Sequence, residues 1–233
     1  MAGGEDGEKI EHIAIIPDGN RRWAKEHNIS KEEAYAIGIR KIGDVLKWCK
    51  EKDVKILTMW GFSLENFKRE KGEMLKLFEL FKKNLVKAIG SEEKERFDVN
   101  VRFLGRINLF PDEIKKMMEK AEEISRKNKK YQLNLLMSYG GRAEILDAVN
   151  RMLKDRIAEV DEKTFSDYLY TKGIPDPDLI IRTSGEKRLS GLLPWQSTYS
   201  ELYFCDKLWP DFNKNDFLDA IEEFNRRKRR FGK

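Results

Sequence analysis

His12-Ile-Ala-Ile-Ile-Pro-Asp-Gly-Asn-Arg-Arg-Trp23 runs a short β-branched stretch straight into a turn carrying one carboxylate and two adjacent arginines. A brief apolar run bounded by Pro and Gly reads as a buried strand. The charged amphipathic stretch behind it, Lys31–Lys52, reads as a helix. The same alternation continues along the chain, with strands expected at His12–Pro17, Val54–Trp60, Asp98–Leu104, Gln132–Ser138 and Leu179–Thr183, and a weaker one at Leu202–Phe204. Helices are expected at Lys31–Lys52, Glu70–Glu95, Pro111–Asn128, Arg142–Glu159, Thr164–Tyr170 and Asn213–Arg229, although Gly38 and Gly43 weaken the first of them. Repeated strand–helix–strand units predict an α/β fold, a single domain built on a central, mostly parallel β-sheet flanked by helices.

Composition agrees. The chain has 233 residues, of which 40% are hydrophobic and 37% charged, enough apolar material for one substantial core. No internal repeat or long linker divides it. Residues 1–9 read as a flexible N-terminal segment, 10–233 as the domain and 226–233 as its basic tail. No stretch reaches the roughly 20 apolar residues of a membrane span, and the opening residues lack the apolar core of a secretory signal, so a cytoplasmic location is expected. Cys49 and Cys205 are too few for a metal cluster or a disulfide framework and neither has a His at ligand spacing, so both read as buried or idle thiols.

The net charge of +5 is local. Six basic residues lie between Arg226 and Lys233, and without them 40 basic residues face 41 acidic ones. General coating of nucleic acid is therefore not expected, whereas a polyanion met at one place is.

In a parallel sheet, ligands bind beyond the carboxyl ends of the strands. After the first strand come Asp18, Gly19, Asn20, Arg21, Arg22 and Trp23, in which a flexible turn, a carboxylate and paired arginines fit a phosphate held with a divalent metal. After the second come Ser63, Asn66, Phe67 and Arg69, of which the two polar side chains would equally serve as loop caps. After the fourth comes Ser138-Tyr-Gly-Gly-Arg142, and after the fifth Arg182-Thr-Ser-Gly-Glu-Lys-Arg-Leu-Ser190, rich in cations and hydroxyls. Four strand ends thus present polar or phosphate-binding chemistry on one rim, and aromatic and aliphatic residues alternate with them, which fits a diphosphate head on a hydrocarbon body. The segment Met74–Ile89 carries an apolar arc wider than one sheet face needs, so it either packs on two sides or lines something greasy.

Assembled, these motifs resemble the cis-prenyltransferases, the undecaprenyl and dehydrodolichyl diphosphate synthase family. The likeness runs from His12–Lys25 through Phe62-Ser-Leu-Glu-Asn-Phe67 and Arg182–Arg188 to Trp195-Gln196, Glu201–Phe204, Leu208–Phe212 and Arg229-Arg-Phe-Gly232. It implies a parallel-sheet fold with an apolar tunnel, a homodimer, a requirement for Mg²⁺, and repeated cis addition of isopentenyl diphosphate to an allylic prenyl diphosphate such as farnesyl or geranylgeranyl diphosphate. The product implied is a long polycis-polyprenyl diphosphate such as undecaprenyl diphosphate, a precursor of glycosyl carrier lipids.

The resemblance also implies residue roles. Asp18 resembles the metal-linked carboxylate at the allylic diphosphate, cradled by Gly19, Asn20, Arg21, Arg22 and Trp23 and assisted by Lys31 and Arg69. Ser63, Asn66 and Phe67 resemble the motif near the condensing carbons, where Asn66 guides proton loss. Arg182, Arg188 and Ser190 resemble the isopentenyl diphosphate clamp, with Arg230 reaching it from a neighbouring subunit, and Glu201 resembles the second metal acid. Lys31 stands where the family often has Arg, and Ala34-Tyr35 where it has Gly-His. A non-catalytic scaffold subunit of a heteromeric enzyme is the alternative reading. Membrane contact is expected through the lipid product, with the basic tail as a weak anchor.

Overall fold

A computed structural model of the chain describes residues 9–89 and 99–227. Six strands form one sheet in the order β3-β4-β2-β1-β5-β6: β1 (His12–Ile16), β2 (Ile56–Ser63), β3 (Asn100–Leu104), β4 (Gln132–Tyr139), β5 (Leu179–Arg182) and β6 (Glu201–Phe204). Every pairing is parallel, so the sheet is more uniform than the mostly parallel one expected. All five residues of β1 are buried, as a strand covered on both faces requires.

Among the described residues, seven α-helices pack around it: α1 (Asn20–Glu26), α2 (Lys31–Glu51), α3 (Lys71–Ile89), α4 (Asp112–Ser125), α5 (Gly141–Lys154), α6 (Glu162–Tyr168) and α7 (Lys214–Arg226). Side-chain alternation separates two cores. Ile13, Ile15, Leu57 and Met59 face Val45 and Cys49 of α2 and Phe217 and Phe224 of α7. Ala14, Ile16, Leu136 and Ile180 face Leu192 and Leu193 on the other side. Cys49 and Cys205 are buried free thiols.

Local chemistry explains where expectation and structure part. The seven-residue α1 was not expected. It is short, and Gly19 before it takes φ +106°, a turn in which an added Cβ would meet Leu208 at 2.8 Å. Gly38 and Gly43 do not interrupt α2, which runs 21 residues from a Ser30–Glu33 capping box. Gly38 is there for close approach, since a Cβ would lie 2.6 Å from Asn20 Oδ1 and 2.9 Å from the Trp209 ring. Asp161 accepts from the Thr164 N–H at 2.7 Å and starts α6 two residues earlier than expected. Helix α5 stops at Lys154, just before Arg156 turns to φ 56°. Strand β2 continues to Ser63 through a bulge near Phe62. The expected helix Glu70–Glu95 is seen as Lys71–Ile89, and residues 90–95 lie outside the described part.

The chain leaves β1 toward β2 on one side, while β5 and β6 extend the sheet on the other. The switch point of the topology therefore falls between the carboxyl ends of β1 and β5, where an open α/β sheet has its crevice.

Candidate functional site

At that crevice Arg182, the last residue of β5, donates from Nη2 to Asp18 Oδ2 at 2.8 Å. Asp18 Oδ1 accepts from the Gly19 N–H at 2.7 Å. The loop is tied down by Thr183, whose hydroxyl donates to the Asp18 carbonyl at 2.8 Å and lies 2.9 Å from the Asp18 N–H. The Trp209 N–H donates to the same carbonyl at 2.9 Å. Partial burial pushes the Asp18 carboxyl up, but the Arg182 hydrogen bond and charge, with the Gly19 N–H, outweigh it and hold the group below its ordinary value. Asp18 is thus ionised at neutral pH, with its side chain 36% exposed while that of Arg182 is 4% exposed.

Around this pair the polar groups are not all satisfied. Arg182 Nη1 donates to Ser190 Oγ at 2.8 Å and to the Arg188 carbonyl, yet Arg182 Nε and Asn20 Oδ1 are buried with no partner. Orphaned buried polar atoms are rare in a native interior. A spare donor and a spare acceptor beside an ionised carboxylate fit an oxyanion and its counter-ion. The Arg188 side chain lies on the exposed rim against Glu186.

The second-strand segment forms the adjacent wall. Asn66 Oδ1 accepts from the Ser63 N–H at 3.0 Å, so Asn66 caps a 3-10 turn, Leu64–Lys68, while lining the same hollow. Phe67 does not reach the hollow; it packs edge-on to Phe62 at 5.1 Å in an aromatic cluster with Phe78 and Phe110. Arg69 Nη1 donates to Tyr35 Oη at 2.7 Å and to Glu73 Oε1 at 2.9 Å. Glu73 also accepts from Tyr35 Oη at 3.0 Å and from Lys31 at 3.0 Å. Burial works to raise the Glu73 carboxyl, but Lys31, Tyr35 and Arg69 together hold it low. The Tyr35 hydroxyl is pushed up to about 12, chiefly by burial. Glu73 was absent from the expected site. Its four-residue spacing from Arg69 on a helix start was the available signal.

One cavity of about 780 Å³ joins these parts. Asp18, Asn20, Arg182 and Ser190 line one end, and Ser63, Asn66, Arg69 and Tyr35 its flank. Leu77, Phe81 and Leu85 of α3, Met118 of α4, and Leu133 and Leu135 of β4 wall the apolar remainder. The arc on α3 thus lines a hollow as well as packing. Phe62 lies on this wall as well.

Other expected residues sit at the rim or elsewhere. Arg21 and Arg22 are exposed on α1, Arg22 lying 3.9 Å from Glu186. Trp23 stacks on His27 and donates to Asp211 at 2.8 Å rather than lining the cavity. Lys31 reaches the site through Glu73. Glu201 is not brought to Asp18 within one chain. It begins β6, level with Leu179, and three residues before the Arg182 row is roughly 10 Å back along the strand direction. Its carboxylate accepts from Arg227 at 2.7 Å. Parallel pairing turns the start of β6 to the opposite end of the sheet from the rim, so a metal site shared by Asp18 and Glu201 does not form inside a single protomer. Arg230 lies outside the described residues. Among those described, no cluster of three or more His, Cys, Asp or Glu residues could hold a metal.

Residues 16–232 match the sequence profile of the family described as "Putative undecaprenyl diphosphate synthase". The chain is 45% identical over 228 residues to a tritrans,polycis-undecaprenyl-diphosphate synthase (geranylgeranyl-diphosphate specific) of Thermoplasma volcanium, covering 95% of this chain and 88% of that one. It is 46% identical over 226 residues to an isoprenyl transferase of Thermotoga maritima, covering 95% and 96%. Among solved structures, lavandulyl diphosphate synthase from Lavandula x intermedia, in complex with dimethylallyl diphosphate, superposes with a TM-score of 0.91 at 32% identity, covering 97% of this chain and 99% of that one. An undecaprenyl diphosphate synthase (uppS), termed probable, from Campylobacter jejuni superposes with a TM-score of 0.80 at 32% identity, covering 97% and 100%.

Proposed function

The chain belongs to the undecaprenyl diphosphate synthase family and is a cis-prenyltransferase, and from that premise we propose that it condenses isopentenyl diphosphate repeatedly with geranylgeranyl or farnesyl diphosphate to give a long polycis-polyprenyl diphosphate. The observation that carries this reading is the single cavity in which the Asp18–Arg182 crevice continues into an apolar hollow. A charged head held at one end leaves room for a growing hydrocarbon along the wall. The geranylgeranyl specificity in the names of several relatives favours that primer.

The allylic head group is assigned to the Asp18–Asn20 turn with Arg69, and the isopentenyl head group to Arg182, Ser190 and Arg188. Mg²⁺ is assigned to Asp18, in the manner of a small hard cation that takes one or two carboxylates and completes its shell with phosphate oxygens and water. Its ionised, half-exposed carboxylate fits that demand. When bound, the metal would supply Lewis acidity to the departing diphosphate. The chain's own cations hold the charge that develops as the allylic C–O bond breaks, in a geometry set before the reaction begins. Phe62 and the α3 side chains keep water from the carbon that accepts the isopentenyl double bond. Asn66, on the cavity flank, is assigned to the loss of the proton that restores a double bond. A homodimer completes the arrangement, with Arg230 offered to the neighbouring site.

The test incubates the purified full chain with radiolabelled isopentenyl diphosphate and each allylic primer in turn, with Mg²⁺ or with a chelator, and separates the products by chain length. Metal-dependent long products from geranylgeranyl or farnesyl diphosphate are expected. No incorporation from any primer would instead favour a scaffold subunit.

A further inference from the structure

The cavity does not end among aliphatic side chains alone: at the end away from Asp18 its lining includes Lys47 and Lys50 of α2 and Lys87 of α3, beside Val99. That is the end at which β1, β2 and β4 begin, and more lysines gather there. The ammonium groups of Lys50, Lys55 and Lys130 lie 5.6, 5.2 and 5.3 Å from the centre of the single Tyr131 ring. Lys9 and Lys55 share the Asp53 carboxylate, Lys9 at 2.6 Å. The C-terminal dipole of α2 favours a cation such as Lys50. It does not account for Lys55 at the start of β2 or Lys130 before β4. Covering one tyrosine ring needs no such crowd, and like charges this close repel. Lys47, Lys127, Lys129 and Lys130 are exposed and Lys50 and Lys55 half-buried at this end, and such a concentration of cations around the far end of an apolar hollow is what a negatively charged lipid surface would select.

We infer that the strand-start end of the sheet docks on an anionic lipid bilayer, so that the hydrocarbon end of the cavity faces the membrane while the diphosphate crevice faces water. This rests on the reading of the cavity as the channel of a polyprenyl chain. It assigns the docking role to the Lys50–Lys55–Lys130 face and not to the basic tail. Such a face places a lipidic product beside the phase that dissolves it.

The experiment sediments the full chain with vesicles of phosphatidylcholine alone or of phosphatidylcholine with phosphatidylglycerol, at low and high salt. The chain is expected to bind the anionic vesicles only, and to be released as salt screens the contact. Reversing three of the four exposed charges between α4 and β4, Lys127→Glu with Lys129→Glu and Lys130→Glu, is expected to lower partitioning roughly tenfold or more. The same variant should keep wild-type prenyl transfer in detergent solution, since none of the three lines the cavity. Undiminished vesicle binding in that variant, with binding lost on truncation after Arg227, would overturn the inference in favour of the tail. Equal binding to both vesicle types, or retention on nucleic acid in place of vesicles, would also overturn it. Absence of vesicle binding in a chain that turns over in detergent rejects the docking face alone. Vesicle binding by a chain that transfers no prenyl group leaves the face standing and rejects the channel reading.

Discussion

The Arg182 guanidinium meets the Asp18 carboxylate at 2.8 Å across a gap of 164 residues in sequence, at the point where the chain's two directions of sheet growth diverge. One end of that contact is almost wholly buried and the other is open to the cavity. The pair therefore joins the two segments to which the diphosphate head groups are assigned above, while leaving Asp18 open to the cavity.

Asp18→Asn should keep the fold, because the amide oxygen still accepts from Arg182 and the Thr183 hydroxyl is tied to the backbone of residue 18, not to its side chain. It should lower turnover roughly a hundredfold or more, since the charge proposed to face the metal and diphosphate is gone. Steady-state rates with saturating Mg²⁺, alongside a melting curve, check both halves; near-normal rates would remove Asp18 from the chemistry.

Glu73 holds one edge of the Arg69 guanidinium, together with Tyr35, on the cavity flank. Glu73→Gln is expected to raise KM for the allylic diphosphate roughly threefold to tenfold and to leave KM for isopentenyl diphosphate unchanged. In an Arg69→Lys background the same change should add little, because the two residues act through one contact. Additive losses in that cycle would separate Glu73 from Arg69.

His12 is fully buried, with Nδ1 2.7 Å from the Pro175 carbonyl and Nε2 2.7 Å from Thr58 Oγ1. A carbonyl only accepts, so Nδ1 carries the proton and Nε2 accepts from Thr58, whose oxygen accepts from Asn134 at 2.9 Å. Burial lowers the His12 pKa to about 4 from 6.5. The unfolded chain therefore binds this proton first. The stabilisation is fully present above the unfolded value and is lost as pH falls from 6.5 through 4, an effect of about 3 kcal/mol. His12→Gln should flatten the urea midpoint against pH across this window. An unchanged slope would mean that other groups govern it.

Leu133 lies on the cavity wall, four residues along β4 from Met137, which pairs beside Phe62. Leu133→Phe should shorten the hydrocarbon the cavity accepts and so move the product distribution to shorter chains. Leu146→Phe, on the exposed face of α5, serves as the control. Chromatography of products from one primer decides; an identical distribution in both variants would place the length limit elsewhere.

Alternating apolar runs and amphipathic stretches were enough to read all six strands, six of the seven helices and the α/β class, because those patterns are local. The loops after β1, β2 and β5 were legible as a polar rim for the same reason, and residues of all three line the cavity. Which side chains those loops would turn toward one another was not. Phe67 and Trp23 read as substrate contacts, but packing against Phe62 and His27 takes their rings elsewhere. Glu201 was expected to share a metal site with Asp18, yet parallel register carries it to the other end of the sheet.

The amino-acid sequence on its own determined the secondary elements, their layering and the chemistry available at each strand end, since burial periodicity and turn residues act over a few neighbours. Only the folded chain decided that Asp18 meets Arg182, that Glu73 gathers Lys31, Tyr35 and Arg69, and that lysines from three separate segments converge on Tyr131. Those partnerships depend on strand order and register, which are set by how the whole sheet closes over its two cores.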